Sequence, residues 1–303
     1  MGIKNSLRTL FLRILKSVDD KARQDILLEA TSEMTKRFLS QSDDIERMRQ
    51  ILDSQRFGRI VKPISVDMPD ANNILIFAPH QDDETIGAAG TILRCVSYGK
   101  RVQVIYVTDG AAATKPSNQK DLAVTRKEEA KKAWSFINGT EPVFLDLHCR
   151  NIPLTMENAE KMRRQISDFQ PDCIFIPFFL EPPLDHRAVN QLLLMAHKIE
   201  PLSESLQIWA YQVSAMVSAN VVVDITDLID KKDAVNSLWK SQNVNFNYAH
   251  FARGMAAYNS IFLKKEFTPC PKKCYAEIFF VSDAAEYISL IDTYFGAKKD
   301  TSG

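Results

Sequence analysis

The sequence predicts an α/β fold: a mostly parallel sheet with helices on both faces, behind a helical extension at the N-terminus. Two observations carry this. Short apolar runs with the look of buried strands recur at 74–78, 102–107, 142–147 and 173–178. Stretches of helical length separate them, at about 84–98, 119–137 and 155–169. Strands alternating with helices in this way build a parallel sheet that is covered on both sides.

Taken in order, residues 1–60 read as helical. Ile3, Leu7, Leu10, Phe11, Ile14 and Leu15 fall at helical spacing with Lys4, Arg8, Arg13 and Lys16 between them. Such a basic amphipathic helix suits an anionic membrane surface, its own domain or a second subunit, so peripheral membrane contact and homo-oligomerisation both stay open. Residues 29–56 carry a second apolar stripe that includes Met34, Phe38, Ile45 and Met48. Pro63, Pro69 and Asn72-Asn73 mark the passage into the main domain. The expected division is therefore 1–70 for the extension and 71–303 for the α/β domain. Beyond the fourth strand, the pattern predicts a helix at 186–198, strands at 206–213 and 220–224, and helices at 227–240 and 249–263. A strand at 276–281 and a helix at 284–294 close the chain.

Composition narrows the function. The 303 residues include 38 basic and 38 acidic side chains, a balance with no global pull toward nucleic acid. The 5 cysteines form no disulfide framework, and Cys270 and Cys274 alone make a weak metal motif. No run reaches the ~18–20 apolar residues of a spanning helix, and no secretory leader pattern is visible. A cytoplasmic setting is expected.

Chemistry concentrates in two clusters. The first strand runs into Ala78-Pro79-His80-Gln81-Asp82-Asp83-Glu84, and the fourth into Glu181-Pro182-Pro183-Leu184-Asp185-His186. Both lie at the carboxyl ends of strands, where open α/β sheets keep their active sites. His80, Asp83 and His186 make a two-histidine, one-aspartate set with room for water, the open coordination of a catalytic zinc. Asp82, adjacent but outside that set, is placed to act as general base. Asp185 reads equally as a group orienting a ligand imidazole or as an N-cap of the next helix. Taken alone, the first cluster would also fit a capped strand-to-helix turn.

Together the two clusters resemble the signature boxes of the LmbE-like, or PIG-L, deacetylases, zinc-dependent enzymes with a Rossmann-like fold. Val107-Thr108-Asp109-Gly110, Arg126-Lys127-Glu128-Glu129-Ala130, Val223-Asp224-Ile225-Thr226, Lys240-Ser241-Gln242 and Tyr275-Ala276-Glu277 follow in family order. The resemblance covers about residues 72–282. It implies a Zn2+-dependent hydrolase removing acetyl from an N-acetylated sugar conjugate of the N-acetylglucosamine type. In it His80, Asp83 and His186 would hold the metal, Asp82 would be the base and Arg126 would face the sugar. Two positions depart from the pattern: the proline of the first box precedes the histidine, and Pro183 stands where the family carries a histidine that polarises the acetyl carbonyl. His148 and His250 are the sequence's candidates to replace it. The competing expectation is a catalytically impaired module of the same fold that binds a sugar or nucleotide without turnover.

Overall fold

The computed structural model describes residues 63–111, 119–215, 217–244, 246–263 and 273–296. All of them fall in one unit, Arg59–Gly303. The two helical stretches expected within residues 1–60, with the membrane contact attached to the first, lie outside the described residues, as does Cys270.

The strands are β1 (Ile64–Val66), β2 (Asn73–Ala78), β3 (Arg101–Thr108), β4 (Val143–Leu147), β5 (Cys173–Pro177), β6 (Gln207–Tyr211), β7 (Val221–Asp224) and β8 (Ala276–Asp283). The helices are α1 (Asp83–Ser97), α2 (Gln119–Ile137), α3 (Met156–Phe169), α4 (Leu184–Ile199), α5 (Ile229–Asn236), α6 (Tyr248–Asn259) and α7 (Ala284–Phe295), with a 3-10 turn at Ser260–Leu263. No helix among the described residues is long and apolar enough to cross a membrane.

The strands join in one sheet of order β1-β7-β8-β6-β5-β2-β3-β4. Every pairing is parallel except those of β8, which runs antiparallel to both β6 and β7. The sheet takes in residues ahead of position 71, because Ile64–Val66 pair in parallel with Val221–Val223. Ile76 pairs with Val104 of β3 on one side and Phe175 of β5 on the other, which makes β2 central. A strand buried on both faces needs apolar side chains at every position, and Ile74 through Ala78 supply them. Ile74, Ile76 and Ala78 belong to the core shared with α1, α2, α5 and α6. Leu75 and Phe77 are fully buried but outside that cluster, so they face the opposite layer, where α3, α4 and α7 pack.

The chain runs outward from β2 through β3 to β4, then returns to place β5 on the other flank of β2. The order reverses between β2 and β5. A crevice opens outside the carboxyl ends of the two strands at such a switch point. Both sequence clusters sit there.

Candidate metal and catalytic site

β2 ends at Ala78, and the chain turns through Pro79–Asp82 into α1. Asp82 closes that turn at φ 145°, a region that costs a residue with a side chain energy. The surroundings impose it: the Asp82 carbonyl accepts the amides of Thr85 and Ile86, and Arg126 Nη2 donates to the Gln81 carbonyl at 2.6 Å. Gln81 Nε2 in turn donates to the Thr108 carbonyl at the end of β3. Gly110 (φ 65°) packs against this turn so closely that a Cβ there would lie 2.2 Å from Gln81 Oε1. The strained turn leaves the carboxylates of Asp82 and Asp83 side by side in the crevice.

His80, Asp83 and His186 are brought together. Asp83 Oδ2 lies 3.1 Å from His80 Nδ1 and 3.3 Å from His186 Nε2, and it also accepts the His80 amide at 2.9 Å. Burial works against a charge on Asp83, but the imidazoles of His186 and His80 hold its carboxyl well below the usual carboxylate range. Burial likewise opposes a charge on His80, yet Asp83 and Asp185 raise its pKa well above 6.5. Two imidazole nitrogens aimed at one carboxylate oxygen form a donor set that a divalent cation fits, with part of its coordination left open.

Asp185 makes the contact that chooses between its two expected roles. The N-cap of α4 is Pro183, and Asp185 lies inside the helix. Its Oδ2 accepts from His80 Nε2 at 2.9 Å and from the Arg150 amide at 2.7 Å. Nε2 on Asp185 and Nδ1 on Asp83 together fix the orientation of the His80 ring.

Asp82 Oδ1 lies 3.3 Å from Arg126 Nη2. Burial pushes the Asp82 carboxyl up to about 6, against the opposing pull of Arg126. Arg126 also borders the cavity, but its guanidinium is engaged by Asp82 and by the carbonyls of Gly110 and Gln81. It thereby acts on the turn and the aspartate.

The crevice is a cavity of about 650 Å³. Tyr248, Gln242, Ser214, Arg150, Phe246 and Phe251 line it together with the two clusters; the sequence suggests Phe246 and Tyr248 only as core or pocket wall, and gives none of the six a catalytic or binding role. They come from loops and helices remote in sequence from the two clusters. His148 and His250 are not among the lining residues. His148 Nδ1 lies 2.8 Å from the Cys149 carbonyl, and His250 is exposed on α6. Glu181 was also missed. Its buried carboxylate accepts the amides of Val213, Ser214 and Ala215 and so fixes the loop after β6 against the second cluster. Its place at the head of that cluster is the one sequence cue.

Residues 75–197 match the sequence model of the PIG-L family, described as GlcNAc-PI de-N-acetylase. Diacetylchitobiose deacetylase of Thermococcus kodakarensis is 28% identical over 110 residues, 36% of this chain. The match spans 41% of that relative's length, less than half of it. Among solved structures, N,N'-diacetylchitobiose deacetylase from Pyrococcus horikoshii superposes with a TM-score of 0.61 at 23% identity, over 72% of this chain and 86% of that one. GalB, the 4-carboxy-2-hydroxymuconate hydratase of Pseudomonas putida KT2440, superposes with a TM-score of 0.57 at 16% identity, over 71% and 96% of the chains. At these identities the superpositions establish a shared fold, and that fold carries more than one chemistry.

Proposed function

We propose that the chain, whose residues 75–197 match the PIG-L family model, is a zinc-dependent hydrolase removing acetyl from an N-acetylated sugar conjugate. The observation that carries this reading is the convergence of His80 Nδ1 and His186 Nε2 on Asp83 Oδ2, with Asp82 beside them in the same cavity. His80, Asp83 and His186 would hold the cation. When bound there, zinc supplies a lowered pKa for water and polarises a carbonyl.

The remaining work belongs to the chain. Asp82 takes the proton of the attacking water on its carboxylate and returns it to the leaving amine. A carboxyl pushed up to about 6 does both near neutral pH. Arg126 fixes the rotamer of Asp82 and keeps it from drifting onto the metal ligands. Asp185 orients His80 through Nε2. Pro183 has no side-chain donor for the acetyl oxygen, and we assign that role to Tyr248. It lines the cavity, and burial together with the carboxylates of Asp82 and Asp83 pushes its hydroxyl above the usual range, which places it within their field. Phe246 stacks edge-on against Tyr248 with ring centroids 5.0 Å apart, giving the sugar an aromatic wall.

The test measures zinc content and acetate release on a panel of N-acetylated sugars for five variants. Asp83→Ala and His186→Ala should lose both metal and turnover. Asp82→Asn should keep the metal and lose most turnover. Tyr248→Phe should keep the metal and fall by roughly 10²-fold in rate, the cost of one oxyanion donor. Pro183→His should change the rate by less than about tenfold if Tyr248 carries the role. Zinc bound stoichiometrically in the first two variants, or turnover unchanged in the Asp82 variant, sinks the reading. A native protein that binds acetylated sugars but releases no acetate would favour the binding module instead.

A further inference from the structure

The imidazole of His80 has two edges, and each faces two further side chains that can donate to a metal. Nδ1 faces Asp83 and His186, the set described above. Nε2 faces Asp185 Oδ2 at 2.9 Å, and Cys149 Sγ lies 3.6 Å from that same oxygen. The donor atoms of His80, Cys149 and Asp185 all fall within 4.8 Å of one another. Cys149 and Asp185 are almost fully buried at 5% and 3% exposure, yet both border the cavity, so an ion entering it reaches them.

We propose that Cys149, Asp185 and the Nε2 edge of His80 form a second, inhibitory site for a soft divalent cation such as cadmium or excess zinc. The inhibitory part rests on His80 being a ligand of the catalytic metal. The binding part stands without it.

The spacing is close to what such an ion needs. Bonds of ~2.0–2.1 Å to nitrogen and oxygen and ~2.3 Å to sulfur put tetrahedral ligand atoms roughly 3.3–3.6 Å apart. The sulfur-to-oxygen distance already meets this. The His80–Asp185 pair must open by a few tenths of an ångström. The backbone holds the pocket in shape: Arg150 adopts φ 66° directly after Cys149, and its amide donates to Asp185 Oδ2 at 2.7 Å. The two sets also differ in softness. The Asp83 set offers nitrogen and oxygen only, whereas the Cys149 set adds a thiolate, which selects zinc and cadmium over magnesium or calcium.

Occupancy has a defined cost. The incoming cation displaces the Cys149 thiol proton and the Nε2 proton of His80, and both leave to solvent. Asp185 then loses its hydrogen bond from His80 Nε2, and a His80 already engaged through Nδ1 must serve two cations through one ring. The second ion therefore binds more weakly than the first and disturbs it.

The experiment uses the full chain with Cys270→Ser and Cys274→Ser, so that the other candidate thiol pair is silent. The zinc-loaded protein is titrated with cadmium and followed by thiolate-to-cadmium charge-transfer absorption. The expected result is a saturable band corresponding to one thiolate per chain. It should be lost in Cys149→Ser and kept in Asp83→Ala, the variant that removes only the first set. X-ray absorption at the cadmium edge of the parent should show one sulfur among nitrogen and oxygen neighbours, a readout that needs no variant at the site. In the activity arm, excess zinc should inhibit the parent, and Cys149→Ser should raise the half-inhibitory concentration by about tenfold or more. No band in the parent, a band undiminished in Cys149→Ser, or cadmium without a sulfur neighbour overturns the site. Equal inhibition of parent and Cys149→Ser overturns its inhibitory role. Loss of zinc binding at Asp83 and His186 without change in the cadmium band would confirm the second site independently of the hydrolase reading.

Discussion

At the scale of single residues, Glu84 shows how burial sets a protonation state. It is fully buried, and its Oε1 accepts the Tyr106 hydroxyl at 2.5 Å and Trp134 Nε1 at 3.2 Å, while Oε2 has no partner. Burial pushes the carboxyl from 4.5 up to about 8, outweighing those two donors. A neutral acid fits this arrangement, with Oε1 as the carbonyl oxygen. Because the folded pKa lies above the unfolded one, the folded state keeps a proton that the unfolded chain gives up. That stabilisation is fully present below about pH 4.5 and is lost as the pH rises through about 8. Glu84→Gln cannot ionise and should gain on the native protein by on the order of a few kcal/mol from about pH 5 to pH 9. Urea unfolding at a series of pH values checks this. Parallel stability curves for the two proteins would mean that Glu84 is not held neutral.

At the scale of elements, α1 is fixed by close backbone approach and by a clamp. A Cβ at Gly87 would lie 2.2 Å from the Gln212 carbonyl oxygen and 2.7 Å from the Tyr211 ring. Lys232 Nζ, fully buried, donates to the Ile86 carbonyl at 2.7 Å and to Glu277 at 2.6 Å, and Glu277 accepts the amides of Gly90 and Thr91. An ion pair from α5 and β8 thus grips the middle of the helix that begins with Asp83. Alanine at position 87 would favour the helix by about 1 kcal/mol. The clash with a backbone oxygen, which cannot rotate away as a side chain does, costs about 1–3 kcal/mol or more. Gly87→Ala should therefore lower the melting temperature by several degrees, about 2–4 °C per kcal/mol for a domain of this size. A variant that melts at or above the parent would show that α1 has room to move off the end of β6.

At the scale of the whole molecule, the switch point between β2 and β5 joins two clusters remote in sequence. The sheet that creates it runs from Ile64 to Asp283, and every described strand lies within Arg59–Gly303. Residues 59–303 expressed alone should therefore fold, unfold cooperatively and bind zinc with the same stoichiometry as the full chain. Circular dichroism, thermal unfolding and metal analysis check this together. A truncated chain that is unfolded, or folded but unable to bind metal, would assign the first 58 residues a part in the sheet or the site.

The sequence by itself determined the order and type of the elements from residue 73 onward and the chemistry concentrated at two strand ends. Those features are local. A run such as Ile74–Ala78 reads as a strand buried on both faces wherever it lies, and an acidic turn after it stays at that strand's end. Only the tertiary structure decided which neighbours those groups meet. β8 enters between β6 and β7 in the antiparallel sense, which strand–helix alternation does not foretell. Arg126 turns its guanidinium onto Asp82 and two carbonyls, because α2 returns over the turn that holds Asp82. Asp185 meets His80 because β5 lies beside β2. Tyr248 lines the cavity, whereas His250, two residues further along α6, is exposed and outside its lining. Contacts of this kind depend on how the chain crosses over the sheet, and a crossover leaves no mark on the residues it brings together.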